Sequence, residues 1–234
     1  IKLSEKTIYN YIENGVFQDV GVSISTIDLK RVVRRKMSKQ KRNTYKPRKD
    51  NRYLIGRKYS DFLIYMEKNS DAKVVEMDTV YNDISNGPFL QTFKFREYDL
   101  LICIYQTVKD SLHMLDGILL LEKILGKEMF EKEVEVILTD RGSEFILAEE
   151  AEIREDGMRR TRMFYCDSMA SWQKGSLENV HLLVREICPK GCDLHALGLT
   201  SQEKANLIST NINSYPKEKL HGRSSIQLLH FYNE

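Results

Sequence analysis

Residues 133–145 read Glu-Val-Glu-Val-Ile-Leu-Thr-Asp-Arg-Gly-Ser-Glu-Phe, and this stretch constrains the fold more than any other. Val134, Val136 and Leu138 alternate with Glu135, Ile137 and Thr139 in a short β-branched run, the pattern of a buried or half-buried strand. The run ends on Asp140, and Gly142 relaxes the backbone for a sharp turn. Asp140 is therefore expected at the carboxyl end of a strand, where α/β sheets place their sites. Alone, such an aspartate is more often a cap or a turn residue. Two further acids give it company. Asp78 lies in a second strand-like run, Lys-Val-Val-Glu-Met-Asp-Thr-Val-Tyr from Lys73 to Tyr81, and Glu178 lies in a helical stretch over 171–185. Asp78 and Asp140 are 62 positions apart, and Glu178 precedes Arg185 by seven, about two helical turns, so those two share one face. Two strand-end aspartates and a helical glutamate are hard oxygen donors of the kind Mg²⁺ takes.

Taken in order, Met-Asp-Thr at 77–79, Thr-Asp-Arg-Gly-Ser-Glu-Phe at 139–145, Ser-Trp-Gln-Lys-Gly at 171–175 with Glu178-Asn179, and Pro189-Lys190-Gly191 resemble the DDE transposases of bacterial insertion sequences, above all the insertion sequence thirty family. The resemblance runs from about Thr7 to Leu229. It implies an α/β, ribonuclease-H-like core, a mixed five-stranded sheet flanked by helices and shared with retroviral integrases, behind a short helical, basic N-terminal segment. It implies Asp78, Asp140 and Glu178 as catalytic metal ligands for two Mg²⁺ ions, with Mn²⁺ as a substitute. Arg185 matches the family's basic residue after the glutamate and is expected to position a DNA phosphate in preference to pairing with Glu178, and Lys174 and Lys190 fall in motifs expected to meet DNA. Implied partners are transposon terminal inverted repeats, target DNA and further copies of the chain on that DNA; the implied location is bacterial cytoplasm, at the nucleoid. Three positions depart from the family pattern. Arg141 stands where Asn is usual, Asp167-Ser168-Met169 stand where a Pro is usual before the Trp motif, and Tyr215-Pro216 replace Arg-Pro.

The charge distribution points the same way. Net charge is +2 over 234 residues, but residues 30–58 hold fourteen Lys and Arg against Asp50 alone, giving +13 and leaving −11 for the rest. Such a block suits a polyanion, and its plain alternative is a solvated linker. Arg34, Arg35, Lys41 and Arg42 are its candidate DNA contacts, and Tyr45 and Tyr53 interleave with its cations, so stacking joins phosphate pairing. Hydrophobic content of 41% beside 30% charge is that of an ordinary globular chain, and no apolar run approaches the roughly 20 residues that span a bilayer. Four cysteines, Cys103, Cys166, Cys188 and Cys192, make no disulfide scaffold and fit a reducing compartment.

Along the chain, the resemblance makes residues 1–20 the remnant of a helix-turn-helix; taken bare, they read as a short amphipathic helix. Ser4 caps a helix over 5–14 that Gly15 ends, and Glu5, Lys6 and Asn10 are placed to read a major groove. The chain opens on Ile1, which leads to the expectation that the rest of that module precedes it. Residues 21–70 read as basic linker and helices, one over 28–37 and one from Ser60 to Met66. Residues 71–234 read as the catalytic core with C-terminal helices. Strands are expected over 74–81, 89–95, 100–107, from Val134, and over 163–166; helices over 112–125, 144–153, 175–187 and from Thr200 or Ser201 to Asn213. Asn86-Gly87 marks a turn.

Weaker signals have two readings each. Cys188, Cys192 and His195 have a zinc-like spacing, but a structural site wants a fourth ligand, and a turn is preferred. Trp172 can stack on a flipped base or brace a loop by packing, and packing is favoured. Glu144 reads as a first-turn acid at a helix start rather than an auxiliary ligand. His181, one turn past Glu178, is left without a role. Function keeps two alternatives: a nuclease of the same fold that cuts without joining, and an inactive DNA-binding relative acting as repressor or partner.

Overall fold

The computed structural model describes residues 3–14, 16–22, 51–82 and 87–231. The basic segment with Arg34, Arg35, Lys41 and Arg42, the helix expected over 28–37, and Asn86 lie outside the described residues. The chain divides into two compact units, residues 1–48 and 49–234.

In the first unit, α1 (Glu5–Glu13) starts at Ser4, whose hydroxyl accepts the Thr7 N–H at 3.2 Å. Ile12 is its buried side chain, and Tyr11 meets Phe17 of α2 (Val16–Asp19) edge-on with centroids 6.4 Å apart.

The second unit opens with α3 (Tyr59–Lys68). It is capped by Asp61, which takes the Lys58 N–H at 2.8 Å, and not by Ser60, which lies inside the helix. The strands β1 (Val74–Val80), β2 (Phe89–Phe95) and β3 (Leu100–Gln106) follow as an antiparallel meander. α4 (Ser111–Leu125) starts on Asp110, and Gly126 leads into α5 (Lys127–Glu133). β4 (Val136–Thr139) pairs parallel to β1 and to β5 (Arg162–Tyr165), with α6 (Ala148–Glu152) between. α7 (Gly175–Ile187), α8 (Gln202–Ser214) and α9 (Ser225–Phe231) close the chain.

The sheet order is β3-β2-β1-β4-β5. With three antiparallel strands and two parallel ones beyond β1, this is the ribonuclease-H-like arrangement. Both faces are covered, which is why β2 is buried along its whole length instead of alternating. On one face Val75, Met77, Phe93, Phe95 and Ile137 pack against Met114, Ile118 and Leu121 of α4. There Gly117 is needed for space: a Cβ would sit 1.8 Å from Gln91 Oε1, and that amide instead reaches the Met114 carbonyl at 2.9 Å. On the other face Val80, Leu90, Leu101 and Cys103 pack against Leu177, Val180 and Val184 of α7 and Ala205, Ile208 and Ile212 of α8. α3 covers the β4–β5 end, with Phe62 against Phe164 at 5.7 Å.

Two expectations change. The strand expected from Val134 begins at Val136, because α5, which has no counterpart in the sequence reading, runs to Glu133 and leaves Val134 as its buried end. The helix expected over 144–153 is a 3-10 turn at Ser143–Phe145 followed by the short α6.

Candidate active site

The site follows from register. Parallel pairing of β1 and β4 sets Val74 opposite Val136 and Glu76 opposite Leu138, an offset of 62. The same offset carried two residues further sets Asp140 beside Asp78. Side chains alternate, so Val74, Glu76 and Asp78 share a face with Val136, Leu138 and Asp140. Both carboxylates thus emerge at the carboxyl edge of adjacent parallel strands, under the start of α7.

Lys174, the residue before α7, lies between them. Its side chain is 5% exposed, and its ammonium donates to Asp78 Oδ2 at 2.9 Å and to the Met77 carbonyl at 3.3 Å, with Asp140 Oδ2 at 3.6 Å. Burial works to raise the Asp78 carboxyl, but Lys174, His181 and the Thr79 N–H at 2.7 Å outweigh it and hold that acid below the usual carboxylate range. Asp140 moves the other way: burial and the neighbouring charges of Asp78 and Glu144 push it up against the pull of Lys174. For Lys174 itself burial favours loss of the proton, and the two aspartates reverse that, so its ammonium is held above the ordinary lysine range. Two acids shifted apart around one cation mark a site with more negative charge than it balances. That donor set, hard oxygens in excess of positive charge, fits a divalent ion such as Mg²⁺ or Mn²⁺.

Gly142 is required beside them. Its N–H donates to Asp140 Oδ1 at 2.7 Å, and a Cβ there would stand 2.5 Å from Glu144 Oε2 and 2.8 Å from Asp140 Oδ1. Glu144 is buried and paired with Lys109, whose ammonium also lies 4.7 Å from the centre of the Tyr81 ring. It is thus the first-turn acid expected, here of the 3-10 turn Ser143–Phe145, and it also lies beside Asp140.

α7 crosses this edge with Glu178, His181 and Arg185 spaced to share a face, in line with Lys174 at its N-cap. It is seated from below by Glu76, whose carboxylate accepts the Leu177 N–H at 2.6 Å and the Arg96 Nε–H at 2.7 Å. Glu178 lies in the first turn and is exposed; among the described residues no three His, Cys, Asp or Glu side chains are gathered as a metal-binding set. Arg185 donates to Asn82 Oδ1 at 2.7 Å and to the Tyr81 carbonyl at 3.0 Å, which ties α7 to the chain leaving β1. Lys190 is exposed beyond the end of α7. The Cys103 and Cys166 thiols are pushed up to about 12 by burial, so neither is a thiolate nucleophile near neutrality.

His181 acquires a position. The Thr92 hydroxyl donates to the Asp78 carbonyl at 3.1 Å and lies 2.9 Å from His181 Nε2. A hydroxyl has one proton to give, so the imidazole donates through Nε2. Burial, with Lys174 and Arg185 adding to it, pushes His181 down to about 4 against the pull of Asp78 and Glu178. An imidazole in the unfolded chain titrates near 6.5, so between the two values the unfolded state holds more protons and stability falls as the pH drops. The expected loss from pH 7 to below 4 is about 3 kcal/mol from this group. Denaturant midpoints of wild type and His181→Gln across that range check it; an equal acid-side loss in the variant would assign the effect elsewhere.

Trp172 is not packed as expected. It is 70% exposed and touches Tyr59 edge-on, with centroids 6.3 Å apart. The two departures at 141 and 167 meet: Arg141 Nη2 donates to Asp167 Oδ1 at 2.8 Å. Sequence reading also passed over Glu76, Thr92 and Lys109, none of which carries a motif of its own.

A ribonuclease-H-like sheet with paired acids at the β1 and β4 ends is the architecture of the molecule, and its similarities are to DNA-rearranging proteins. No protein-family model matches the chain. It is 25% identical over 227 residues to the probable transposase for insertion-like sequence element IS1161 of Streptococcus salivarius, covering 97% of this chain and 58% of that one. It is 37% identical over 68 residues to the transposase for insertion sequence element IS1086 of Cupriavidus metallidurans, 29% of this chain and 19% of that one. The chain thus spans less than two thirds of either relative. Among solved structures, the BIV integrase catalytic core domain superposes with a TM-score of 0.45 at 15% identity, over 69% of this chain and 98% of that one. The HTLV-2 integrase catalytic core domain in complex with magnesium gives 0.41 at 15%, over 66% and 93%. Scores of that size add nothing to the strand order. Among the described residues no helix is long and apolar enough to cross a membrane.

Proposed function

We propose that the chain is the catalytic part of an insertion-sequence transposase of the DDE type, of the insertion sequence thirty family. The observation that carries this reading is the meeting of Asp78 and Asp140 at the carboxyl edge of β1 and β4, with the Glu178 helix laid across them. Asp78 and Asp140 would hold the metal, and Glu178, one turn past Lys174, would complete its ligands. Two Mg²⁺ ions, or Mn²⁺, would supply activation of the attacking oxygen and neutralisation of the leaving one. Glu76 and Arg185 fix the helix that presents Glu178. His181 and Thr92 fix the Asp78 backbone. Lys174 keeps a positive charge beside the acids where a phosphate arrives. Water serves as nucleophile for nicking a transposon end and the freed 3′-hydroxyl for joining it to target DNA. Lys190 and the basic segment would hold DNA backbone, and the chain would work as a homo-oligomer on DNA. Base reading is assigned to the helix-turn-helix of which α1 would be part.

The test is incubation of the chain with branched or pre-nicked DNA in Mg²⁺ or Mn²⁺, followed on a sequencing gel. Cleavage that leaves a 3′-hydroxyl and stops in chelator is expected, with joined products when a target is supplied. Bound DNA that stays uncut in both metals would sink the reading. A second expectation concerns the basic segment. Neutralising Arg34, Arg35, Lys41 and Arg42 together should weaken binding to unrelated duplexes by similar factors and flatten the slope of log affinity against log salt by about 3 to 4, since each phosphate contact contributes about 0.9. An unchanged slope would make the segment a solvated linker.

A further inference from the structure

We infer that the loop of residues 167–173 is a stacking platform for an unpaired nucleobase, with Trp172 as the surface the base meets. The inference deepens the transposase reading and takes the presence of DNA from it. The loop is fastened at its base. Gln173 Oε1 accepts the Asp167 N–H at 2.7 Å, and Gln173 Nε2 donates to Asp167 Oδ2 at 3.1 Å. Arg141, next to Asp140, holds the other carboxylate oxygen, and Arg96 Nη2 donates to the Gln173 carbonyl at 3.3 Å. The loop's two ends are thus bonded to each other and held from two further segments.

What lies between the ends faces outward. Two successive turns, Ala170 N–H to the Asp167 carbonyl at 3.2 Å and Gln173 N–H to the Ala170 carbonyl at 3.0 Å, close the loop on itself. Met169 takes a φ of 64°, a left-handed conformation uncommon for a residue with a side chain, and is 96% exposed. Trp172 is 70% exposed, and its edge-on contact with Tyr59 leaves most of the indole in solvent. A fastened loop that presents a tryptophan and a methionine to water has surface to offer a partner.

The surroundings choose the partner. Lys174 is two residues from Trp172, with its ammonium on both aspartates; Arg141 grips the loop, and the exposed Lys58 precedes Tyr59. An aromatic ring among cations is how single-stranded nucleic acid is held, phosphates by charge and bases by their faces.

Trp172 is the only tryptophan in the chain, so its emission reports this loop alone. The 234-residue protein is titrated with two end-labelled duplexes, one blunt and one carrying an unpaired 2-aminopurine beside a nick, while anisotropy reports binding. With the second duplex, indole and 2-aminopurine emission should both fall in step with anisotropy; with the blunt duplex, anisotropy should rise while the indole stays bright. Trp172→Ala should weaken the frayed duplex by roughly five- to a hundredfold, leave the blunt one nearly unchanged and keep 2-aminopurine bright. Trp172→Phe should retain most of the affinity. Anisotropy that rises with no change in either fluorophore, or an alanine variant that weakens both duplexes equally, overturns the platform while leaving the transposase reading standing. No anisotropy rise with either duplex sinks both.

Discussion

Asp78→Asn and Asp140→Asn will each abolish metal-dependent strand cleavage, by roughly a thousandfold or more, while DNA binding persists. Metal catalysis of phosphoryl transfer is worth several kcal/mol, and an amide oxygen has no charge with which to hold the ion. On the proposed reading, DNA affinity would come from cations elsewhere in the chain. The two variants should part company in stability. Asp78 is kept ionised by Lys174, and its replacement leaves a buried ammonium without its nearest partner, so that variant should melt earlier. The Asp140 carboxyl is pushed up by burial and by the charges of Asp78 and Glu144, so its replacement removes repulsion and should leave the melting temperature unchanged or higher. Gel assays and thermal melts on the pair measure both. Cleavage near the wild-type rate by either would remove that aspartate from the ligand set, and equal melting shifts would contradict the assigned charge balance.

Glu76→Ala will cost roughly 1–3 kcal/mol of stability, the loss expected when a buried acceptor is removed and its donor left unpaired; the Arg96 side chain, a third exposed, can turn to water. Glu76 is 1% exposed, and its two oxygens serve different elements: one accepts the Leu177 N–H at the start of α7, the other the Arg96 Nε–H. Truncation leaves an unpaired N–H in the core and a guanidinium over the Phe62 ring with its main acceptor gone. Glu76→Gln can still accept from Leu177 and should lose less. Because α7 carries Lys174 and Glu178, cleavage by the alanine variant should drop even at temperatures where the fold survives. Denaturant midpoints decide the first point; a loss under about 1 kcal/mol would show that α7 is seated by its apolar side chains alone.

The readable parts of this molecule are those governed by repeat. The strand-like runs at 74–80 and 136–139 gave both strands, and the spacing of 62 residues between the aspartates is the parallel register itself. The helix bearing Glu178 runs over Gly175–Ile187 as its spacing predicts. Hidden parts are set by contacts between distant residues. Lys109 finds Glu144 and Arg141 finds Asp167 across 35 and 26 positions, separations that no local pattern encodes. Glu76 was passed over because nothing local reveals that α7 covers it. α5 was missed because its Lys-Glu-Met-Phe-Glu-Lys-Glu run has few apolar residues to show a period. Trp172 was misjudged by its type: tryptophan is usually covered, and here a fastened loop holds it out.

The β1–β4 register also has a kinetic side. The meander of β1, β2 and β3 closes through near neighbours in the chain, but β1 and β4 must close a loop of 62 residues before either gains from the other. Loop-closure entropy makes that the slower step. A nascent or refolding chain can therefore complete its first three strands and α4 with both aspartates present and far apart. On the proposed reading, the two acids would come together only when the β1–β4 pairing forms, so a half-folded chain would lack the paired carboxylates that cutting needs.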